Sequence, residues 1–210
     1  MRLYTHPISV FPFRVKIALH EKGLVFEEVS TDLSSGASEA FLGLNPFAQI
    51  PVLEDDGFTL AESMAILEYL DEKYPVPPLR PESFEARATM RMLMCWSTDY
   101  WYAHWKGWLA PKLGERGDPW TQESLRDARR GLCTHLDVIE KQLGSQEWLA
   151  GEYSLADICY APLILSLHRV GFDDEFEKRS ELGRWIEQLS ARNAVINALG
   201  LCRLSLLGIT

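Results

Sequence analysis

The feature that most constrains the fold of this chain is a change of pattern on the two sides of a proline-rich segment. Residues 1–74 alternate short strand patterns with helix patterns, whereas the residues after the segment read as helix. The segment itself, Tyr74–Pro81, carries four prolines, which support neither a continuing helix nor a strand ladder. The sequence therefore predicts two domains, residues 1–76 and 83–210, joined by a short, stiff linker at about 75–82.

The first domain reads as strand, helix, strand, helix, two strands and a closing helix. Strands are predicted at 2–6, 25–31, 51–54 and 58–61, and helices at 12–22, 38–44 and 63–73. The first crossover demands a parallel pair, and the hairpin turned at Asp55-Asp56-Gly57 adds an antiparallel strand to the same sheet. This βαβαββα order with a mixed four-stranded sheet is the thioredoxin-like order, an α/β fold.

The second domain is predicted to be an all-α helical bundle. Its helices are expected at about 84–113, at 121–143 between Pro119 and Gly144, at 155–170, and near 182–191 and 194–199. Ser154-Leu-Ala-Asp157 has the pattern of a capping box at the start of a buried helix, so we interpret both polar residues as structural.

Composition limits the classes of partner. The formal charge of −9, without a dense block of Lys or Arg, argues against nucleic acid or an anionic membrane as the main partner. There is no signal-peptide pattern and no run of eighteen apolar residues, so we expect a soluble, cytoplasmic protein. The four cysteines are widely spaced and the five histidines form no metal-binding cluster, so we predict reduced thiols and no metal site.

A serine precedes the first predicted helix. In Ser9-Val-Phe-Pro-Phe-Arg-Val, its hydroxyl lies on the loop just ahead of the helix N-terminus. Free N–H groups and the positive end of the helix dipole stabilise an anion there, and a serine hydroxyl can donate one more hydrogen bond. A thiolate would be stabilised at such a place. The alternative is that Ser9 only caps the helix.

A second motif, Asn45-Pro-Phe-Ala-Gln-Ile-Pro-Val-Leu53, places an Ile-Pro step at the entry to a strand. Proline belongs at a strand's first residue or at an edge, because it cannot donate a ladder hydrogen bond. If the Ile50–Pro51 bond is cis, the backbone of Ile50 turns outward and can pair with a peptide laid beside it. The alternative is an ordinary edge strand.

A third motif, Leu60-Ala-Glu-Ser-Met-Ala-Ile-Leu-Glu-Tyr-Leu70, places Glu62 and Ser63 where a strand becomes a helix. The Ser63 hydroxyl and the first helical N–H groups can take a carboxylate, while Glu62 can take an ammonium. An α-amino acid head group presents this pair of charges. The alternative is a helix cap beside a solvated glutamate.

Together these motifs resemble those of the glutathione-transferase superfamily, in order and along essentially the whole chain. The most specific segments are Ser-x-x-x-x-Arg-Val-x-Ile-Ala-Leu, Asn-Pro-x-x-Gln-Ile-Pro-Val-Leu and Glu-Ser-x-Ala-Ile-x-x-Tyr-Leu, followed by Ser-Leu-Ala-Asp. The resemblance implies that Ser9 is the catalytic serine of a zeta- or theta-like protein, or takes the position of the omega-class cysteine. It implies that Ile50, with Gln49 as a neighbour, contacts the cysteinyl part of glutathione, and that Glu62 and Ser63 hold its γ-glutamyl end.

The departures from the family pattern bear on the reaction. In zeta-type proteins the serine is followed by a second serine and a cysteine, whereas here Val10 and Phe11 follow, and the first domain has no cysteine. These differences argue against omega-like thiol transfer and weaken the interpretation as a maleylacetoacetate isomerase. Tyr4 lies within the first strand, where we favour packing over activation of a thiol.

Aromatic residues are concentrated in the first helix of the second domain. The segment from Cys95 to Trp108 contains four of the seven tryptophans, and Trp101, Trp105 and Trp108 share one helical face. Either they form the core or a subunit interface, or Trp101 and Trp105 form a wall for an apolar electrophile in a cleft whose floor is Phe11.

The leading hypothesis is a cytoplasmic, homodimeric glutathione S-transferase that acts in detoxification. It would lower the pKa of the glutathione thiol and direct the thiolate at an electrophilic small molecule or a peroxide, with glutathione as co-substrate and no metal. One alternative is a non-catalytic interaction protein of the same fold, similar to the stringent-starvation type of transcription partner. Another is a glutathione-dependent isomerase of the maleylacetoacetate type.

Overall fold

The chain divides into two units in the computed structural model, which describes residues 1–7, 9–33, 36–111, 121–168 and 171–200. One unit consists of Met1–Leu79 together with the segment that begins at Ala191, and the other consists of Arg80–Ser190. The boundary at residues 79 and 80 falls inside the predicted linker. The sequence prediction placed all of 83–210 in one helical domain, whereas in the structure the segment after Ser190 belongs to the first unit.

The first unit is built on a mixed four-stranded sheet. Its strands are β1 (Arg2–Thr5), β2 (Glu27–Ser30), β3 (Val52–Asp55) and β4 (Phe58–Ala61). The order across the sheet is β2-β1-β3-β4, with β1 parallel to β2 and the other two pairs antiparallel. This confirms the thioredoxin-like order predicted from the sequence.

Three helices connect and follow these strands: α1 (Val10–Glu21), α2 (Glu39–Leu44) and α3 (Ser63–Lys73). The predicted start and end of α3 match the structure, and α1 begins two residues earlier than predicted. Helices α1 and α3 pack against each other. Their apolar residues are buried together with alternate residues of the strands, and this core includes Leu3, Phe13, Ile17, Leu53, Ile66 and Leu70.

A buried ion pair joins α1, α3 and the proline-rich segment. The ammonium of Lys22, at the end of α1, lies 2.8 Å from the carboxylate of Asp71 in α3, with side-chain exposures of 0% and 2%. The same ammonium donates to the carbonyls of Tyr74 at 2.7 Å and Pro77 at 2.8 Å. Asp71 also accepts from the N–H of Leu79 at 2.8 Å. The prolines have no N–H to donate. The side chains of Lys22 and Asp71 therefore supply the hydrogen bonds that fix the backbone conformation of the proline-rich segment.

The second unit is helical. Its helices are α4 (Phe84–Trp96), α5 (Tyr102–Leu109), α6 (Gln122–Leu143), α7 (Leu155–His168), α8 (Asp173–Phe176) and α9 (Ser180–Ser190). A π-helical segment, Ser97–Trp101, joins α4 to α5, and the Ser97 hydroxyl donates to the Met94 carbonyl at 2.6 Å beside it. The predicted ends at Leu113 and Val170 and the flanking Pro119 lie outside the described residues. None of the described helices is long and apolar enough to span a membrane.

One buried carboxylate connects α7 to α9 and to the loop before α7. Asp157 accepts from the N–H and the hydroxyl of Ser154, at 2.9 and 3.3 Å, and the first of these bonds is one half of the predicted capping box. Its other oxygen accepts from the N–H of Leu149 at 3.1 Å and from the indole of Trp185 at 2.8 Å. Burial raises the pKa of Asp157 to about 6, against these hydrogen bonds, which lower it.

The tryptophans predicted to line a substrate cleft lie in the core of the second unit. Trp101 is 0% exposed and Trp105 is 6% exposed. The ring of Trp101 contacts those of His135 and Tyr160, with centroids 4.7 and 5.3 Å apart. The indole of Trp105 donates to the Ser166 hydroxyl at 2.7 Å. Burial of both side chains favours the packing interpretation over the substrate wall.

The last described helix, α10 (Asn193–Gly200), belongs to the first unit because it packs on α1. Val195 and Ala198 are buried on its inner face. Just ahead of it, the guanidinium of Arg192 donates to both carboxylate oxygens of Glu21, at 2.7 and 2.9 Å. The helical pattern of α10 in the sequence does not indicate that its packing partner, α1, lies more than 170 residues earlier in the chain. The predicted domain boundaries therefore missed this contact.

Replacing Lys22 with methionine is expected to lower the free energy of unfolding by about 3–5 kcal/mol, because the Asp71 carboxylate stays buried without its cation. Urea denaturation followed by circular dichroism measures the loss. The control is Arg130→Met, which breaks an exposed pair with Asp127 and is expected to change stability by less than about 1 kcal/mol. Equal losses in the two variants would contradict the importance of the buried pair.

Trp101→Ala is expected to destabilise the second unit by about 3–5 kcal/mol, because it leaves a cavity between His135 and Tyr160. The neighbouring Tyr100 is 64% exposed, so Tyr100→Ala serves as the control, with an expected loss of less than about 1 kcal/mol. Thermal and urea unfolding compare the two. Unchanged stability of Trp101→Ala together with a raised KM for a second substrate would restore the substrate-wall interpretation.

Candidate functional site

The strand register brings three chain segments to one end of the sheet. Tyr4 of β1 pairs with Val52 of β3, and Val52 pairs with Ala61 of β4. Since β3 is antiparallel to both neighbours, the C-terminal ends of β1 and β4 lie beside the N-terminal end of β3. At this end of the sheet, the chain passes from β1 to α1 and from β4 to α3. The N-termini of both helices therefore begin beside this end.

The residues predicted from the first-domain motifs are all found in these segments. Ser9 lies between β1 and α1, Ile50 lies two residues before β3, and Glu62 directly follows β4. Gln49 precedes Ile50 and is exposed, whereas Ser63 opens α3 and is buried. The fold therefore gathers at one end of the sheet residues that are more than fifty positions apart in the chain.

Ser9 is the N-cap residue of α1 by position but not by hydrogen bonding. Its backbone is extended, with φ −86° and ψ 125°, and its N–H donates to the carbonyl of His6 at 3.1 Å. Its hydroxyl makes no cap hydrogen bond with the described residues of the helix. A capping role requires the hydroxyl oxygen to accept from the first turn, so the structure leaves this half-exposed hydroxyl available for a ligand.

The beginnings of α1 and α3 differ from those of α2, α4 and α6. Helices α2, α4 and α6 start at Ser38, Ser83 and Thr121, each of which accepts from its helix, and each helix has an acidic residue in its first turn. Among the described residues, α1 and α3 have neither a side-chain cap nor an acid in the first turn. The positive ends of these two helix dipoles are therefore left for an external anion.

Glu62 has an unusual backbone conformation. Its φ is +71° and its ψ is 113°, in a region that costs a residue other than glycine about 1–3 kcal/mol. Its carbonyl accepts from the N–H of Ile66 at 2.9 Å, while its side chain makes no cap hydrogen bond and is exposed. Strain of this kind is concentrated at binding sites, where it aims a side chain that a relaxed backbone would direct elsewhere.

A buried asparagine holds the loop that carries Ile50. The side-chain amide of Asn45 donates to the Gln49 carbonyl at 2.9 Å, and its oxygen accepts from the Phe47 N–H at 3.1 Å. The Ile50–Pro51 bond is cis. Asn45 belongs to a motif in the sequence, but no role of its own was predicted for it. An Asn-Pro pair shortly before the Ile-Pro step that enters a strand is the signal that could have identified it as a loop-positioning residue.

Two further aromatic side chains lie near these segments in the chain. The Tyr4 hydroxyl donates to Glu54 at 2.8 Å, and burial raises the pKa of Tyr4, so its proton is held within the sheet. Phe11, in the first turn of α1, is half-buried, and the guanidinium of Arg14 lies 5.0 Å from the centre of its ring. Arg14 is fully buried, so α1 carries a buried positive charge near its N-terminal end.

Ionisable side chains elsewhere in the described part of the chain do not assemble a metal site, since no three His, Cys, Asp or Glu residues are grouped to hold an ion. In the second unit, His135 shares a hydrogen bond of 2.8 Å with the Tyr160 hydroxyl. Burial lowers the pKa of His135 to about 4, so this imidazole is neutral at pH 7. Its surroundings indicate a packing role.

Comparison with known proteins identifies the family. Residues 1–72 match the family model described as the glutathione S-transferase N-terminal domain, and residues 115–193 match the glutathione S-transferase C-terminal domain. The chain is 32% identical over 176 residues to maleylacetoacetate isomerase of Rattus norvegicus, covering 81% of this chain and 80% of that protein. It is 33% identical over 172 residues to a stringent starvation protein A homolog of Coxiella burnetii, covering 81% and 78%. The solved structure of glutathione S-transferase III in apo form matches with a TM-score of 0.84 and 32% identity, over 96% of each chain. The chain belongs to the glutathione S-transferase family.

Proposed function

We propose that this protein is a glutathione S-transferase that activates the thiol of glutathione at the N-terminus of α1. The observation that carries the proposal is the free hydroxyl of Ser9 at a helix start without a side-chain cap or an acidic first turn. A helix start of this kind stabilises an anion, and a thiolate is the anion that the transferase reaction needs. The enzyme would act as a cytoplasmic homodimer, with glutathione as co-substrate and no metal.

Three groups would stabilise the thiolate. The Ser9 hydroxyl donates a hydrogen bond to the sulfur, and the backbone N–H groups of the first turn, such as that of Val10, contribute the helix dipole. The buried guanidinium of Arg14 adds a positive charge in the second turn of the same helix. All three are held by the folded chain before the ligand binds, so they lower the pKa of the thiol without reorganisation.

The remaining site residues would hold the rest of glutathione. The Ser63 hydroxyl and the start of α3 take the γ-glutamyl carboxylate, and the exposed Glu62 carboxylate takes the ammonium beside it. The backbone of Ile50 pairs with the cysteinyl part of the ligand. Asn45 is a positioning residue, because it holds the carbonyl of Gln49 and thereby the loop before Ile50.

The second substrate would be an apolar electrophile, or a peroxide in a side reaction. Once the thiolate is formed, the gain for this substrate is mainly proximity and orientation. Phe11 is the predicted substrate-binding aromatic residue that remains partly exposed, two positions after Ser9. Trp101 and Trp105, in contrast, are engaged in the core of the second unit.

A second candidate function, a non-catalytic interaction protein, has support from the 33% identity to a stringent starvation protein A homolog. An isomerase has similar support from the 32% identity to maleylacetoacetate isomerase. A protein that only interacts with others has no need of an uncapped α1, a strained Glu62 and an Ile-Pro step together. Titration with glutathione separates the non-catalytic interaction protein from the transferase and the isomerase. An assay with maleylacetoacetate separates the isomerase from the transferase.

Ser9→Ala is expected to reduce kcat/KM by about 10²-fold or more, because it removes one preorganised donor to the sulfur. Its stability and most of its glutathione affinity should be retained, and the pKa of the bound thiol should rise. The control is Ser83→Ala, which removes a hydroxyl that does accept from its helix, at 3.1 Å. This control should lose about 1 kcal/mol of stability with unchanged turnover. Full turnover of Ser9→Ala would show that Ser9 does not contact the sulfur.

Glu62→Gln is expected to weaken glutathione binding by about tenfold, because the charged hydrogen bond to the γ-glutamyl ammonium becomes a neutral one. Isothermal titration calorimetry measures the dissociation constants of the two proteins. Glu72→Gln, at the other end of α3, is the matched control and should bind as the wild type does. Equal affinities of wild type and Glu62→Gln would remove Glu62 from the site.

A further inference from the structure

The last residue of β1, Thr5, is a buried threonine whose hydroxyl makes no hydrogen bond with the described residues. The residue is 5% exposed, and its Oγ1 is buried and without a partner. Its carbonyl, in contrast, accepts from the N–H of Thr31 at 2.8 Å. A buried hydroxyl without a partner lowers stability, because it has lost its hydrogen bonds to water. Valine has nearly the same shape and also favours strands, so packing alone does not explain a threonine here.

The strand register places Thr5 level with the proposed site. Tyr4 of β1 pairs with Val52 of β3 in an antiparallel arrangement. In this register the next positions are Thr5 and Pro51, and Pro51 is the proline of the cis bond at the entry to β3. Thr5 therefore belongs to the end of the sheet at which the proposed glutathione contacts gather.

The side chain of Thr5 lies on the face of the sheet that carries the core with α1 and α3. Side chains alternate along a strand, and the ring of Tyr4 contacts that of Phe41 in α2, with centroids 5.8 Å apart. Leu3, which shares the face of Thr5, is fully buried, and α1 packs on β1. The hydroxyl of Thr5 therefore lies beneath α1 and not beneath α2.

A tight turn brings Thr5 close to the start of α1. The N–H of Ser9 donates to the carbonyl of His6 at 3.1 Å, so the chain reverses between β1 and α1. The two residues that flank this turn, Thr5 and Val10, are both buried. Ser9 ends the turn and has a half-exposed hydroxyl that makes no cap hydrogen bond. A buried and a half-exposed hydroxyl thus belong to one short reversal of the chain.

The start of α1 offers few backbone donors of its own. The N–H of Ser9 is bonded to the carbonyl of His6, and Pro12, the third residue of α1, has no N–H. At most the N–H groups of Val10 and Phe11 remain for a ligand in the first turn. The strength of the Ser9 hydroxyl as a donor therefore matters more here than at a helix start with its full set of N–H groups.

We infer that Thr5 is a positioning residue for Ser9: its hydroxyl donates to the Ser9 hydroxyl oxygen, directly or through one ordered water, while Ser9 donates to the thiolate of glutathione. The inference rests on the proposed function and adds a second hydroxyl to it. A hydroxyl that accepts a hydrogen bond is a stronger donor, so Thr5 and Ser9 together stabilise the thiolate more than Ser9 alone. In the ligand-free protein the Thr5 hydroxyl stays unpaired, and its cost is offset when the ligand binds.

Thr5→Val, which replaces the hydroxyl with a methyl group of similar size, tests the inference in the full chain. We expect kcat/KM with chlorodinitrobenzene to fall by about 3- to 10-fold and the pKa of the bound thiol to rise by about 0.5–1, the scale of one hydrogen bond. The ultraviolet absorbance of the thiolate measures this pKa. Thr5→Ser keeps the hydroxyl and should restore both values. An unchanged thiol pKa in Thr5→Val would overturn the inference.

The stability of the ligand-free proteins distinguishes this role from a structural one. Removal of an unpaired buried hydroxyl should raise the urea midpoint of Thr5→Val, although its activity falls. Thr134→Val is the control, because the Thr134 hydroxyl does have a partner, the Arg130 carbonyl at 3.0 Å. This control should keep the thiol pKa of the wild type, with a midpoint that does not rise. A lower midpoint of Thr5→Val would show that its hydroxyl is already paired in the ligand-free protein, and the inference would be wrong.

A double-mutant cycle with Ser9→Ala shows whether Thr5 acts through Ser9. If it does, adding Thr5→Val to Ser9→Ala should change neither kcat/KM nor the thiol pKa any further. The same fold-loss from Thr5→Val in both backgrounds would overturn the inference and leave Ser9 as the donor to the sulfur. Failure of the wild type to bind glutathione would overturn the proposed function and the inference together.

Discussion

Lys22 and Asp71 form the interaction on which the geometry of the first unit depends. The pair joins the C-terminal end of α1 to α3, while the two proposed anion-binding starts lie at the other ends of the same helices, at Ser9 and Ser63. A deeply buried ion pair contributes little net stability, because desolvation offsets the attraction. Its effect is on geometry, since its hydrogen bonds hold both helices and the proline-rich backbone in one arrangement. The relative placement of the site residues follows from that arrangement.

At the proposed site this chain omits the caps that it uses at the starts of α2, α4 and α6. Elsewhere it caps helices with Ser38, Ser83 and Thr121, each contributing about 1 kcal/mol, and adds an acid to the first turn. At α1 and α3 the caps are missing, and Glu62 adds a strained backbone. The stability given up at these positions leaves positive helix ends and free side chains at one end of the sheet, as ligand binding requires.

The second unit illustrates how packing decides the role of an aromatic residue. Trp101 and Trp105 have the spacing of a substrate wall, but Trp101 lies against His135 and Tyr160, and the indole of Trp105 is hydrogen-bonded inside the unit. Helical spacing places side chains on a common face, but it does not determine what packs against that face.

The sequence by itself determined the features that depend on neighbours within about four residues. The prolines of Tyr74–Pro81 end the first set of elements, the Asp157 carboxylate accepts from the Ser154 N–H, and the limits of α3 follow from local pattern. Only the tertiary structure decided the features that depend on distant partners. These include the packing of α10 on α1, the burial of Trp101 and the engagement of the first unit's cations. The physical reason is that periodicity and capping are short-range, whereas burial and ion pairing join residues tens of positions apart.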